Sequence, residues 1–107
     1  MRHLVIAAHP RAGSFNRSIV DAYAATLAER GHRVQRRDLY ALGFNPILSA
    51  RDLAAMARGR PARDVRTELD AIRAAGAITL IAPLWWGGFP AMLKGYADRV
   101  FTAACSD

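Results

Sequence analysis

The sequence predicts an α/β domain in which helices cover both faces of a parallel sheet. Two short apolar runs rich in β-branched residues, His3 to Ala8 and Ala77 to Ala82, have the character of buried parallel strands. Each is followed by a polar or glycine-rich loop and then by apolar residues at helical spacing. Between them, turn residues divide the chain so that strands and helices alternate, which calls for right-handed crossover connections.

The elements follow in order. Val5 and Ile6 give the first strand its β-branched centre, and Pro10 ends it. From Phe15 to Gly31, Ile19, Val20, Tyr23, Ala24 and Leu27 recur at three and four positions and mark one helix face. His32 to Leu39 embeds Val34 and Leu39 in arginine-rich sequence and reads as a more exposed, edge-like strand. Tyr40 to Pro46 is a loop. Ser49, with Asp52 three residues on, has the pattern of an N-terminal cap for a helix over Ala50 to Arg58. Pro61 suits the first turn of a further helix, with Val65, Leu69 and Ile72 as its apolar stripe up to Gly76. Glu68 and Arg73 are not at ideal pairing distance and receive no role. Ala77 to Ala82 is the second buried strand. Pro90 then opens a helix in which Met92, Leu93, Tyr96, Val100 and Phe101 face inward. Lys94, Asp98 and Arg99 are spaced as a helix face, with Lys94 and Asp98 forming a surface i, i+4 ion pair.

A chain of 107 residues, 52% hydrophobic and 22% charged, is treated as one domain over residues 1–107. No apolar run reaches the roughly 18 residues of a membrane span, and Met1-Arg2 leads straight into a strand without the sections of a signal peptide. A cytoplasmic location is expected. The net charge of +6 invites a nucleic-acid reading, but fourteen of the fifteen basic residues are arginines scattered along the chain. Only Arg33, Arg36 and Arg37 approach a patch, and no reading motif accompanies them, so nucleic acid is not an expected partner. The single Cys105 forms no internal disulfide, which fits a reducing compartment.

In an open parallel sheet, ligands bind beyond the carboxyl ends of the strands, where the strand order reverses. With the order 2-1-3, the loop from His9 to Asn16 lies beside the loop from Pro83 to Phe89. The first has the makings of an anion grip. Gly13 permits close backbone approach, Ser14 and Asn16 are short polar residues suited to a helix N-terminus, and the helix dipole favours a phosphate there. An ordinary capped helix after a strand would have the same pattern. The second loop sets backbone groups beside Trp85 and Trp86, which suits a flat apolar ring; one of the two tryptophans is expected in the core.

His9-Pro10 followed by Ser14-Phe15-Asn16, together with the long segment from Ala82 to Phe101, resembles the flavodoxin-like NAD(P)H:quinone oxidoreductases. The resemblance runs over essentially the whole chain. It implies a flavodoxin-like three-layer α/β/α sandwich and a flavin, FMN or FAD, with NAD(P)H as co-substrate and a quinone as electron acceptor. It matches His9, Ser14, Phe15 and Asn16 to the flavin phosphate, and Pro83, Leu84, Trp85, Trp86 and Gly87 to the isoalloxazine ring. His9 would position the phosphate and carry positive charge. No side chain needs to act as general acid or base, because the hydride chemistry belongs to the cofactor. A homodimer is the expected assembly.

Two departures qualify the resemblance. Gly87 stands where the family commonly has an aromatic, which leaves one wall of the ring site more open. The family pattern also continues beyond the third helix, so the domain is expected to be incomplete on its C-terminal side, with the edge of strand 77–82 unpaired. A fragment, a chain that completes its sheet with a partner, and a minimal flavin module all accommodate this. A non-catalytic interaction module that uses the exposed sheet edge is the alternative function.

Overall fold

A computed structural model describes residues 1–11 and 15–105. The three strands are β1 (Arg2–Ala7), β2 (Arg33–Asp38) and β3 (Ala77–Ile81). They form one parallel sheet in the order β2-β1-β3, with Val5 opposite Arg36 on one side and Thr79 on the other. β1 therefore takes the centre, and its Leu4, Val5 and Ile6 are completely buried.

Side chains alternate across the sheet, so each strand feeds both layers. On one face, Val5 of β1 packs with Val20 and Leu27 of α1 (Phe15–Glu29), and Ala7, Tyr23, Val34 and Ile81 close around them. On the other face, Leu4, Ile6 and Ala8 meet α3 (Arg63–Ala74) through Val65 and Leu69. The C-terminal rod packs there too, through Leu93, Tyr96, Val100 and Ala103. That rod is α4 (Ala91–Tyr96), a π-helical turn (Ala97–Phe101) and α5 (Thr102–Cys105) in unbroken succession. Short α2 (Ala50–Ala57) borders this layer, with Ala55 buried and Met56 against the core. The result is the expected three-layer α/β/α arrangement.

The predicted Ser49 cap forms, whereas Pro61, expected in the first turn of its helix, lies just before the Ala62 N-cap of α3. The Ser49 hydroxyl accepts from the Asp52 backbone N–H while the Asp52 carboxylate accepts from the Ser49 N–H, both at 3.1 Å. This reciprocal pair fixes the start of α2. The stripe of α1 is also as predicted, apart from Ile19, which lies at its exposed margin.

Three expectations need correction. β3 is not buried on both faces: Ile78 and Leu80 are 42% and 39% exposed, because no strand among the described residues pairs with the outer edge of β3. Arg99 does not share the surface with Lys94 and Asp98. The Lys94–Asp98 pair is present at 2.5 Å, but Arg99 is buried against Asp52 and Asp64. Glu68, to which no role was given, is buried and bonded to Arg37 and Tyr96. Sequence spacing along one helix misses both clusters because the partners lie on other elements.

Candidate functional site

The carboxyl ends of β1 and β3 bring the two loops together. Pairing continues one residue past β1, where the Ala8 N–H donates to the Ile81 carbonyl at 3.2 Å. The chains then diverge into His9–Arg11 and Pro83–Phe89. The His9 and Trp85 rings meet edge to face with centroids 5.8 Å apart. This contact confirms that the loops adjoin, as the strand order requires.

His9 is oriented by its own backbone. Its Nδ1 accepts from the Arg11 N–H at 3.0 Å. With Nδ1 engaged in this way, Nε2 is the ring nitrogen left to meet a ligand. The cation beside it is Arg11, which sequence reasoning passed over among so many scattered arginines. Arg11 lines a cleft of about 620 Å³ together with His9, Pro10, Phe15 and Trp85. Phe15 is exposed and Asn16 half-buried at the start of α1. Ser14 and Gly13, central to the predicted anion grip, lie outside the described residues.

The second loop is a tight two-residue turn. Trp85 and Gly88 exchange both backbone hydrogen bonds, at 2.9 and 3.1 Å. Trp86 and Gly87 between them have φ of 55° and 73°. Positive φ at both central positions is the geometry of a type I′ turn, which suits Gly87 and strains Trp86. The turn throws the Trp86 side chain fully into solvent, at 105% relative exposure, while Trp85 is 44% exposed. Neither tryptophan is in the core, contrary to expectation. Leu84 is also largely exposed, and Pro83 is half-buried. Nothing lies within 4 Å of where a Cβ on Gly87 would sit, so the wall at that position is open as predicted.

Beneath the second loop, α4 and the π-helical turn are held by buried charges. Arg99 donates to both Asp52 oxygens at 2.9 and 3.0 Å, to both Asp64 oxygens at 2.6 and 3.0 Å, and to the Asn45 carbonyl at 2.9 Å. Its hydrogen bonds hold the Asp52 carboxyl below the ordinary carboxylate value, against the opposing effect of burial. Beside this cluster, Arg37 bonds both Glu68 oxygens, and the Tyr96 hydroxyl donates to Glu68 at 3.2 Å. Burial, reinforced by the Glu68 charge, pushes the Tyr96 phenol well above its ordinary value. These clusters are structural ties that position the helix following the candidate ring-binding loop.

The family model for the flavodoxin-like fold matches residues 1–106. The chain belongs to this family. Its flavodoxin-like topology is shared by an NAD(P)H:quinone oxidoreductase from Methanothermobacter marburgensis, with a TM-score of 0.87 and 37% identity over 94% of this chain and 53% of that one. An uncharacterised NAD(P)H oxidoreductase of Haemophilus influenzae is 48% identical over 103 residues, 95% of this chain and 51% of the relative. NAD(P)H dehydrogenase [quinone] 1 of Rattus norvegicus is 33% identical over 95% of this chain and 43% of its own length. The chain thus spans about half the length of the curated relatives it matches.

Proposed function

We propose that this chain carries the flavin-binding part of an NAD(P)H:quinone oxidoreductase. The observation that carries the reading is the juxtaposition of His9 and Trp85 at the carboxyl ends of adjacent parallel strands. It supports the reading because the loops 9–16 and 83–89 then adjoin at the position where open α/β sheets take their ligands. The names of the relatives support the reaction class.

The residues fit a flavin. A cleft of about 620 Å³ lies within the range typical of cofactor sites. At one end, the start of α1, the Nε2–H of His9 and the Arg11 guanidinium would hold the phosphate, with Ser14, Phe15 and Asn16 beside it. At the other, Pro83, Leu84, Trp85, Trp86 and Gly87 would border the ring, the aromatics excluding water from its edge. FMN or FAD would supply hydride transfer from NAD(P)H to a quinone. The protein's part is orientation: the exposed Trp86 would flank the ring, and the open wall at Gly87 would admit the flat reactants.

Titration of the purified chain with FMN and FAD tests this directly. Flavin fluorescence should be quenched, and Arg11→Ala and His9→Ala should each weaken binding about tenfold, since each removes a hydrogen bond to a charged group. Absence of quenching with either flavin would overturn the proposal. Quinone-dependent NAD(P)H oxidation by the reconstituted chain tests the reaction class. The exposed Ile78 and Leu80 at the free side of β3 favour a second reading, an interaction module that pairs through this edge. A monomer by light scattering that binds flavin would dispose of the second reading and of the expected homodimer together.

A further inference from the structure

At the opposite end of the sheet from the cleft, two histidines carry the unpartnered buried polar side-chain atoms found among the described residues: Nδ1 of His3 and Nδ1 of His32. Buried polar atoms in native proteins are nearly always satisfied, and an orphan calls for an explanation such as a bound ion. Here the two orphans belong to one pair, whose ring centroids are 4.8 Å apart at an interplanar angle of 71°.

We propose that His3 and His32 form a binding site for a borderline divalent transition metal, of the class of Zn²⁺, Co²⁺ or Ni²⁺. Imidazole nitrogen is a preferred ligand for these ions. An imidazole bound at about 2.0–2.1 Å has its ring centre about 3.2 Å from the ion, so two on one ion at about 100° stand about 4.9 Å apart. The observed spacing of 4.8 Å matches that geometry. A cation bound by both Nδ1 atoms would give each a partner, which the edge-to-face ring contact does not.

The fold supplies the pairing. His3 precedes Val5 and Ala7 on the α1 face of β1, and His32, one residue before β2 begins, meets its ring there. The backbone of His32 is pinned by its N–H to the Leu27 carbonyl at the end of α1, at 3.1 Å. The neighbouring Arg2 and Arg33 alternate onto the other face, so their charges do not point at the site. Both histidines are only half-buried, so the pair lies near the surface even though the two Nδ1 atoms are covered. Two ligands leave two positions of a tetrahedral ion for water.

The chain has three histidines, and His9 lies at the far end of the sheet, which provides an internal control. The test is titration of the full chain with Co²⁺, followed by d–d absorbance and by competition with Zn²⁺, with Mg²⁺ as the hard-ion control. One equivalent of Co²⁺ should bind, and His3→Gln and His32→Gln should each weaken it by about tenfold or more, while His9→Gln leaves it unchanged. Circular dichroism of each variant separates ligand loss from misfolding. Binding that is absent, that survives both substitutions in folded protein, or that depends on His9 would overturn the proposal. So would a ¹⁵N spectrum, recorded with saturating Zn²⁺, in which both Nδ1 resonances stay where they are in metal-free protein. None of these readouts requires flavin.

Discussion

Arg99 and Trp86 belong to the same loop-and-helix segment, yet they are handled in opposite ways. The guanidinium is buried and bonded to two carboxylates and a carbonyl. The indole lies wholly in solvent on a residue with positive φ. One region places charge inside and satisfies its donors; the other places a large apolar group outside and accepts backbone strain. The first pattern is what a scaffold requires, since an unpaired buried charge costs far more than a paired one contributes. The second is uneconomical unless the exposed group has something to meet, and strained, exposed residues cluster where ligands bind. The contrast separates the part of the segment that holds position from the part proposed to contact the cofactor.

Breaking the buried side of the comparison should have the largest effect. Arg99→Met strands the Asp52 carboxylate in the interior and should destabilise the fold by about 3–5 kcal/mol in urea denaturation. If the cost is that of an orphaned charge, adding Asp52→Asn should recover part of it. An unchanged or further lowered stability in the double variant would show that packing of the arginine stem matters more. The same pair sets the acid limit. Arg99 holds the folded-state pKa of Asp52 below its unfolded value, so the unfolded chain takes up the proton first as pH falls. The contribution is therefore present above about pH 4, the unfolded value, and is lost as pH falls through the lower folded one. The stability gap between wild type and Arg99→Met should therefore narrow as pH falls below about 4, as measured by urea denaturation across the pH range.

Next in size is Gly95, where α4 meets the loop after β2. A Cβ there would lie 2.1 Å from the Pro46 carbonyl oxygen and 2.3 Å from the Pro46 Cβ, so one of the two backbones must move. Gly95→Ala improves helix propensity but should still lose about 1–3 kcal/mol through overpacking. A neutral or stabilising result would mean that the 45–47 segment yields easily and is not part of the scaffold.

Tyr96→Phe probes the neighbouring cluster more gently. Arg37 still pairs with Glu68, and only the phenol hydrogen bond is lost, so about 1 kcal/mol is expected near neutral pH. The comparison with wild type should change in alkali. The folded-state pKa of Tyr96 is raised above its unfolded value, so its contribution is present below about pH 10 and is lost as pH rises toward the folded value. The stability gap between the two proteins should narrow above pH 10, as measured by thermal unfolding across the pH range.

Legibility in the sequence followed how local each determinant was. The strand runs, the stripe of α1 and the Ser49–Asp52 cap depend on residues within a few positions of one another, and each was readable. The adjacency of His9 and Trp85 was readable because strand order follows from topology, and the resemblance named the ligand class. Arg99 and Glu68 were not, because a charged residue on a helix looks alike whether its partners are water or carboxylates on two other helices. The unpaired edge of strand 77–82 was expected, and β3 is the outer strand among the described residues, but the exposure of the Ile78 and Leu80 side chains was masked by an apolar run that looks alike at a sheet centre and at an edge. The two tryptophans were misjudged for a different reason: large aromatics usually go inside, and only the backbone of the turn reveals that Trp86 is held outside.

The smallest expected effect is the most discriminating, because it has opposite signs for stability and for binding. Trp86 occupies a left-handed conformation that costs an L-residue about 1 kcal/mol, and its side chain makes little contact in return. Trp86→Gly relieves that strain while increasing the entropy of the unfolded chain, so stability should rise by at most about 1 kcal/mol. If the indole is there to flank a flavin ring, the same substitution should weaken flavin binding about tenfold, a loss of about 1.4 kcal/mol of aromatic contact. Stability without flavin and affinity for it would then move in opposite directions in one variant. A substitution that lowered both would mark Trp86 as part of the scaffold after all, and one that raised stability and left affinity intact would remove it from the site. Trp85→Ala sharpens the result. Trp85 also packs against His9, so its loss should lower affinity and disturb the loop contact, with no strain relieved in exchange.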